Sequence, residues 1–449
     1  MEKEKEDSLK KKSCKLSIKE GAAYSVSEGF GIRYIGPFAL ALGAKNIHIS
    51  LLTSLPTLLG RFFQLHSIKL MSKISRKKIC FYGALLQAIS WLLIISIGAL
   101  YFNFNITSEI TPSLLVFVYT LLIIFGTFFV PAWSSWMRDL VTEETGHYFG
   151  KRSRIITFVS LVSMLIASFI LDYFKQTKIF IGFVIIFSIA FLARLVSAFI
   201  FTKKYEPEFK QDKKHYFGFL QFIKQAYKNN FGKFVIYVAL ISLTTTISSP
   251  FFVVYQLENL KLSYLQYTLI LIVNLLSTLI FIPAWGKFAD KYGNLKVIII
   301  AGFLIPIIPL LYLLTPYIHG QMLMPFLLII EVISGFSWAG FNLSASNFVF
   351  DAVTREKMAL CVSYFNIVDG LGTFIGATIG GIIASFDFVF FGFETLLFIF
   401  LLSGITRLFV SLLFIGKLKE VRKVRNFGLK EFRGKLSNLS IVNIINYLK

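Results

Sequence analysis

Five charged side chains lie inside long apolar stretches of the sequence, where their chemistry would operate within a membrane. They are Glu28, Arg33, Arg61, Glu331 and Asp369. An ionised group at membrane depth costs several kcal/mol and usually marks function, so we expect these residues to form a site for a substrate or a coupling ion. Glu28 and Asp369 would load and release protons. Arg33 and Arg61 would bind an anionic group or a partner acid. Internal salt bridges that only fix helix packing are the alternative for the whole set.

The composition places these residues in lipid rather than in water. The chain has 449 residues, is 56% hydrophobic and 16% charged, and has a mean hydropathy of +0.71. Soluble domains are nearer 45–50% apolar and about 25% charged. The apolar runs are continuous and lack the alternation of barrel strands, so the sequence predicts membrane-spanning helices of roughly 20 residues each.

Twelve such helices are predicted, which makes the fold class an all-α membrane protein. The spans lie near residues 21–43, 49–68, 79–102, 113–137, 155–174, 179–202, 234–256, 266–286, 296–318, 322–348, 359–385 and 391–416. The first span is the least clear, because it carries Glu28 and Arg33. The long connection after the sixth span contains a segment, around Phe217 to Tyr227, that could form an amphipathic helix on the membrane surface.

Lysine and arginine residues predict the orientation of the chain. With the N-terminus inside, the inner loops and tails hold 38 of the 46 Lys and Arg residues, and the outer loops hold four. Both termini are therefore expected in the cytoplasm. The predicted parts are a tail (1–20), a six-helix bundle (21–202), a linker (203–233), a second bundle (234–416) and a basic tail (417–449). The net charge of +22 then indicates anionic membrane lipids, not nucleic acid, as partners. We expect a monomeric, multi-pass protein of the cell membrane.

The two halves of the sequence resemble each other in the same direction. Pro37 and Pro250 lie in similar tripeptides, and Asp139-Leu-Val-Thr-Glu-Glu resembles Asp351-Ala-Val-Thr-Arg-Glu at almost the same separation along the chain. Two parallel six-helix repeats are typical of transporters with a site near the membrane midplane.

A loop after the eighth predicted span carries the most specific motif. It reads Gly286-Lys-Phe-Ala-Asp290-Lys291-Tyr-Gly293-Asn-Leu-Lys296, which resembles the signature loop of the major facilitator superfamily, Gly-x-x-x-Asp-Arg/Lys-x-Gly-x-x-Arg/Lys. Gly286 would let two helices approach closely, Asp290 would pair at a helix end, and Gly293 would permit a tight turn. An ordinary charged turn is the alternative.

This resemblance implies two six-helix bundles that carry a solute by alternating access, with the loop as a cytoplasmic latch. In the family, spans one, four, seven and ten line the cavity, and spans two and eleven lie beside it. The first half is less similar: Met71 stands where the motif acid would fall, and Thr145 replaces an arginine of the loop after span four, although Asp139 is present. We expect the gating loops to comprise Gly286, Asp290, Lys291, Gly293, Arg138 and Asp139.

Other features of the spans allow more than one interpretation. Arg194 and Arg407 occupy equivalent places in the two halves, with the same separation as Pro37 and Pro250, and are predicted to be structural residues that snorkel toward the interface. The hydroxyl-rich segment 244–249 could line a cavity at a bend before Pro250, or could satisfy its own helix. Trp136 and Trp338 could face a cavity, but packing is the expected role. The glycines of span eleven, Gly370, Gly372, Gly376, Gly380 and Gly381, predict close helix contact.

Enzyme chemistry has little support in the sequence. The five histidines do not cluster, no Walker loop for ATP is present, and no cofactor or metal site is predicted. The predicted function is secondary active transport or facilitated diffusion of a small-molecule substrate, with proton coupling left open. The alternatives are a lipid-moving protein of the same fold, which would open sideways to the bilayer, and a non-transporting sensor or a membrane-embedded enzyme.

Overall fold

The computed structural model describes residues 2–71, 73–104, 106–107, 109–141, 145–176, 178–207, 218–354, 357–390, 392–422 and 424. Within this part of the chain, ten helices are long and apolar enough to cross a membrane, as judged by length and composition. They are Arg76–Phe102, Ile110–Leu140, Thr145–Lys175, Ile179–Thr202, Asn230–Asn259, Tyr264–Tyr292, Asn294–Tyr312, Gly320–Ala352, Cys361–Ile383 and Thr395–Phe414. Each corresponds to one of the predicted spans three to twelve, which confirms a multi-pass, all-α membrane protein.

The first two predicted spans are helical but are not among these ten. Helix α1 (Glu2–Phe30) is followed by one 3-10 turn (Ile32–Tyr34) and by the short helix α2 (Ile35–Ala41), and α3 covers Asn46–Leu70. Helix α1 also contains residues 2–20, which were expected to belong to a tail. Ser13, Ser17 and Glu20 on this helix are buried, because they share one face of the helix.

The remaining helices follow the predicted spans, with breaks inside several of them. In the first half they are α4 (Arg76–Phe102), α5 (Ile110–Phe128), α6 (Val130–Leu140), α7 (Thr145–Lys175) and α8 (Ile179–Thr202). In the second half they are α9 (Phe219–Ala226), α10 (Asn230–Thr246), α11 (Phe251–Val254), α12 (Tyr264–Tyr292), α13 (Asn294–Leu304), α14 (Ile307–Tyr312), α15 (Leu323–Ala352), α16 (Met358–Ile383) and α17 (Thr395–Phe414). Two-residue strands β1 (Val389–Phe390) and β2 (Phe393–Glu394) pair antiparallel before α17.

The chain forms two compact units. Unit 1 comprises Met1–Lys213, Ser249–Thr268 and Ala377–Ser385, and unit 2 comprises Lys214–Ser248, Leu269–Gly376 and Phe386–Lys449. The predicted bundles, 21–202 and 234–416, stay a prediction. In the structure, one end of the seventh and eighth spans and one end of the eleventh span belong to unit 1.

The break between α13 and α14 in unit 2 results from proline. Pro306 has no N–H, so the carbonyl of Gly302, four residues earlier, loses its helical donor. The hydroxyl of Ser411 on α17 donates to this carbonyl at 2.7 Å. Helix α17 therefore satisfies a backbone group that lipid could not satisfy.

Arg407 on α17 also donates hydrogen bonds to backbone carbonyls at two other helix breaks. Pro309 frees the carbonyl of Ile305, which accepts a hydrogen bond from Arg407 Nη1 at 3.3 Å. At the bend between α10 and α11, Arg407 Nη2 donates to the carbonyl of Thr245 at 3.1 Å and to Ser248 Oγ at 2.7 Å. The bend predicted before Pro250 is present, and its hydroxyl groups serve internal hydrogen bonds: Thr244, Thr246 and Ser248 are all buried.

The glycines of α16 allow this helix to touch α10, as the sequence predicted. A Cβ on Gly372 would overlap the carbonyl oxygen of Ala239, and a Cβ on Gly376 would overlap the carbonyl oxygen of Leu243. Gly286 of α12 is different, because its Cβ would only meet Leu343 Cδ2 at 3.8 Å, an ordinary contact. The close approach of α12 to another helix occurs instead at Gly335 of α15, where a Cβ would lie 2.5 Å from the carbonyl oxygen of Asn274.

The predicted amphipathic segment of the linker forms α9. Its apolar face contacts protein: the rings of Phe219 and Phe222 lie 5.3 and 5.5 Å from the ring of Tyr364 on α16. Phe222 is buried, and Tyr227, which follows the helix, is exposed. This part of the linker therefore packs against α16 by the face that was expected to meet the membrane surface. Residues 208–217 of the linker lie outside the described part of the chain.

We expect Gly376→Ala to destabilise the protein by about 1–3 kcal/mol, because the added methyl group forces α10 and α16 apart. The measurement is the thermal unfolding midpoint in detergent. Gly286→Ala is the matched control, since it adds the same methyl group to a helical glycine with room for it, and should leave the midpoint unchanged or slightly raised. Equal losses for the two variants would contradict the packing described here.

Candidate functional site

Glu28 and Arg33 form an ion pair at the break that follows α1. Arg33 Nη2 lies 2.6 Å from Glu28 Oε1, with 40% of the Arg33 side chain and 23% of the Glu28 side chain exposed. The break occurs at Gly31, where a Cβ would overlap the ring of Trp91 on α4. The close contact with α4 therefore requires glycine, and the 3-10 turn after it places Arg33 beside Glu28.

Tyrosines on three helices of unit 1 lie within electrostatic range of this pair. Tyr24 of α1 and Tyr119 of α5 interact with both Glu28 and Arg33, and Tyr267 of α12 interacts with Arg33. We call Glu28, Arg33, Tyr24, Tyr119 and Tyr267 the tyrosine-lined ion pair.

Tyr34, next to Arg33, fixes the turn in position. Its side chain is fully buried. Its hydroxyl lies 2.6 Å from the carbonyl oxygen of Met164 on α7, to which it donates, and 2.8 Å from Thr268 Oγ1 on α12. A second contact of unit 1 also holds α12: Asp172 of α7 accepts hydrogen bonds from the backbone N–H groups of Tyr264 and Leu265, each at 2.8 Å. A carboxylate at a helix N-terminus stabilises the helix end.

The other predicted site residues lie on different helices. Arg61 is half-buried on α3. In unit 2, Glu331 of α15 accepts a hydrogen bond from Asn274 Nδ2 at 2.8 Å and one from the Tyr312 hydroxyl at 3.4 Å. Asp369 of α16 is also half-buried and accepts a hydrogen bond from Ser242 of α10. The structure thus brings Glu28 and Arg33 together and places Glu331 and Asp369 in separate helix contacts of unit 2.

The signature loop of the second half forms a charge network within unit 2. Gly293, where the motif predicted a tight turn, adopts a φ of 98°, a conformation that favours glycine. Asp290 Oδ1 lies 3.7 Å from Arg422 Nη1, an exposed and therefore weak contact. Arg422 makes its short contact with Asp351 Oδ2, at 2.6 Å, and this hydrogen bond raises the pKa of Arg422. Lys291 lies at the end of α12 with its ammonium group 4.9 Å from the ring centre of Tyr292.

The first half contains a corresponding network around Arg76, which is only 1% exposed. Its guanidinium contacts the carboxylate of Asp139 and donates to the carbonyl oxygen of Pro207 at 2.9 Å. Its backbone N–H donates to Glu206 Oε1 at 2.7 Å. Arg138, which was predicted to act beside Asp139, is exposed. The partner of Asp139 is therefore Arg76 at the start of α4.

An acid after the sixth helix of each half caps the third helix of that half. Glu206 accepts the backbone N–H groups of Arg76 and Lys77 at the start of α4, at 2.7 and 3.3 Å. Glu420 accepts the backbone N–H of Leu295 at the start of α13, at 2.8 Å. These acids, together with Asp139 and Asp351 at equivalent positions, give the two halves the same arrangement of carboxylates around different cations. Sequence comparison could have found Glu206 and Glu420, because their separation along the chain is almost that of the other repeated residues.

Arg194 is buried within the first bundle rather than snorkelling to an interface. It is 1% exposed, and it donates to Gln87 Oε1 and to Ser197 Oγ, each at 2.8 Å. Ser197 in turn donates to Glu20 at 3.4 Å, and the Arg194 guanidinium lies 4.9 Å from the ring centre of Tyr24. Arg407 is also 1% exposed. Both residues are structural, as predicted, but they act through hydrogen bonds inside the bundle.

Lys204, just after α8, is a further buried cation at the end of unit 1. Its side chain is 1% exposed, and its ammonium group lies 4.6 Å from the ring centre of Trp136. Burial lowers the pKa of Lys204, and the charge of Glu20 partly offsets this effect. Trp136 is fully buried and donates to the carbonyl oxygen of Tyr205 at 2.9 Å, so its role is packing. In the part of the chain that the structure describes, no group of three or more His, Cys, Asp or Glu residues could hold a metal ion.

The helical architecture and the internal repeat define a transporter fold. The family model of the Major Facilitator Superfamily matches residues 23–252 and again residues 234–442, so the chain belongs to this superfamily. It is a membrane transporter of the secondary transporter kind and not an enzyme.

Solved structures with the same fold include transporters of several kinds. A mutant of the nucleoside transporter NupG matches with a TM-score of 0.72 and 17% identity, over 92% of this chain and 100% of that chain. A POT family transporter in complex with 5-aminolevulinic acid matches with a TM-score of 0.67 and 15% identity, over 89% and 95% of the two chains. A bacterial homologue of the iron transporter ferroportin in an inward-facing state has a TM-score of 0.63 at 12% identity, over 91% and 98%. These identities establish the fold alone.

One curated relative is similar in part of its sequence. The multi-drug resistance efflux pump PmrA of Streptococcus pneumoniae is 30% identical over 148 residues, which is 33% of this chain and 34% of that protein. The chain therefore matches about a third of the relative's length.

We expect Arg76→Gln to destabilise the protein by about 2–4 kcal/mol, because it leaves Asp139 and Glu206 without their cation. The contact of Asp139 with water limits this loss. Arg138→Gln removes an exposed positive charge next to Asp139 and should change stability by no more than about 0.5 kcal/mol. The measurement is thermal unfolding of the two purified variants beside wild type. A larger loss for Arg138→Gln than for Arg76→Gln would contradict the pairing of Arg76 with Asp139.

Proposed function

We propose that this transporter carries a small solute with an aromatic ring and a charged or strongly polar group, that the solute binds at the tyrosine-lined ion pair, and that a proton gradient drives the transport. The observation that carries the proposal is the Glu28–Arg33 pair at 2.6 Å, placed at a helix break with three tyrosines in electrostatic range. The charged group of a solute would bind the oppositely charged member of the pair and displace the other member from it.

Exposure supports access to this pair. The Arg33 side chain keeps 40% of its surface uncovered by protein, whereas the structural arginines Arg194 and Arg407 are 1% exposed. An arginine that only fixed helix packing would be enclosed as these two are. A partly uncovered ion pair at membrane depth has instead the reach and the charge to bind a polar group.

The three tyrosines support an aromatic ring as a feature of the solute. Tyrosine presents a flat apolar face for stacking together with a hydroxyl for hydrogen bonding, and a cation is also attracted to the ring face. Binding sites for small molecules combine such apolar walls with a few polar groups. The multi-drug efflux pump, which is similar to this chain over about a third of its length, supports the proposal because its name fits solutes of this class.

The experiment is uptake of ethidium and of uridine, an aromatic cation and a neutral nucleoside, into proteoliposomes with and without an imposed pH gradient. We expect saturable flux of at least one probe, accelerated by the gradient. Glu28→Gln and Arg33→Gln should each lower this flux by about tenfold or more, the effect of losing one charged contact of about 1.4 kcal/mol.

Glu109→Gln provides the matched control. Glu109 also forms an ion pair, with Lys45 at 3.1 Å, but both side chains are well exposed, so we expect wild-type flux. The proposal fails if neither probe moves, or if Glu28→Gln and Arg33→Gln transport as fast as Glu109→Gln.

A further inference from the structure

Glu331 differs from the other intramembrane acids in its surroundings. Its carboxyl group accepts hydrogen bonds from Asn274 on α12, at 2.8 Å, and from Tyr312 on α14, at 3.4 Å. Asn274 uses its other amide hydrogen on Ser334 Oγ, at 2.9 Å. These partners are neutral side chains from three helices of unit 2.

No cation faces Glu331 among the residues that the structure describes. Tyr312 on α14 is the titratable group that contacts it, and neither α12 nor α15 presents a charged side chain close enough to interact with its charge. Glu28, in contrast, has Arg33 at 2.6 Å. An ionised carboxylate without a counter-ion in lipid surroundings is costly, and taking up a proton removes that cost.

Close packing holds α12 and α15 together beside Glu331. Gly335, one turn further along α15, lets the backbone of α12 approach so closely that a Cβ would lie 2.5 Å from the carbonyl oxygen of Asn274. Ser277 of α12 donates to the carbonyl oxygen of Val332 at 2.7 Å. A change of charge on Glu331 therefore acts directly on α12, because the donor Asn274 and the contact surface belong to that helix.

We propose that Glu331 is a proton-binding site of this transporter, separate from the tyrosine-lined ion pair. In each cycle the carboxylate takes one proton from water on one side of the membrane and returns it to water on the other. This assignment rests on the proposed function for its role in transport, and it deepens that function by naming the residue that carries the proton.

The first test needs no substrate. Infrared difference spectra of the purified full-length protein, recorded as pH is stepped, should contain the C=O band of a protonated carboxylic acid that disappears as pH rises. Glu331→Gln should remove this band, and Glu109→Gln should keep it. Persistence of the whole band in Glu331→Gln would overturn the proposal.

Tyr312→Phe provides a second test in case Glu331→Gln does not fold. Tyr312→Phe removes a hydroxyl that donates to the carboxylate, so the midpoint of the same band should move to higher pH. A purely structural role for Tyr312 would leave the midpoint where it is in wild type. An unchanged midpoint together with an unchanged band in Glu331→Gln would exclude Glu331 as the proton site.

Transport measurements distinguish a failure of this proposal from a failure of the proposed function. We expect Glu331→Gln to lose uptake driven by a pH gradient but to keep equilibrium exchange of the same probe, which needs no net proton movement. Glu28→Gln should lose both, because the solute itself no longer binds. Gradient-driven uptake by Glu331→Gln at the wild-type rate would contradict the role of Glu331 as the proton site. If the wild-type protein shows no flux, the proposed substrate class is refuted, and the infrared measurement still tests Glu331.

Discussion

The structure depends on one constraint: a polar group inside the bilayer must find its partner within the protein. Lipid offers neither hydrogen bonds nor counter-ions, so an unsatisfied group costs several kcal/mol. The buried arginines show how the chain meets this demand. Arg194 binds side-chain oxygens of its own bundle, and Arg407 satisfies a carbonyl released by Pro309 and another at the bend of the seventh span. The helix breaks are possible because neighbouring helices supply the missing donors.

This constraint also distinguishes structural charges from functional ones. Arg76, Arg194 and Arg407 are enclosed by protein and donate hydrogen bonds within their own units, so their loss would lower stability first. The Glu28–Arg33 pair and Glu331 are different, because the first remains partly uncovered and the second has only neutral donors. The two halves keep the same carboxylate arrangement through Glu206 and Glu420, although the cation comes from the start of α4 in one half and from the segment after α17 in the other. A repeat can thus preserve electrostatics after its sequence has diverged.

The sequence predicts the helices well because hydropathy over about 20 residues is a strong signal. It also predicts the tight turn at Gly293 and the glycine contact of α16. It fails where the partner is chosen in three dimensions. Arg76 looks like one more basic loop residue, so the sequence does not reveal it as the partner of Asp139. Tyr119 and Tyr267 give no signal among 19 tyrosines and 50 phenylalanines. The segment 1–20 looks like a charged tail, because its serines and lysines leave little apolar pattern.

The most direct test of this account is whether the Glu28–Arg33 pair lies against water or against lipid. The measurement is labelling by a membrane-impermeant thiol reagent in a background where Cys14, Cys80 and Cys361 are replaced by alanine. Ile166 on α7, 46% exposed, is the comparison position, because its exposed apolar side chain is expected to meet acyl chains. The account predicts rapid labelling of Arg33→Cys and slow labelling of Ile166→Cys. If Arg33→Cys resists the reagent as Ile166→Cys does, and both react with a lipid-soluble one, the pair faces the bilayer and the proposed binding site does not exist.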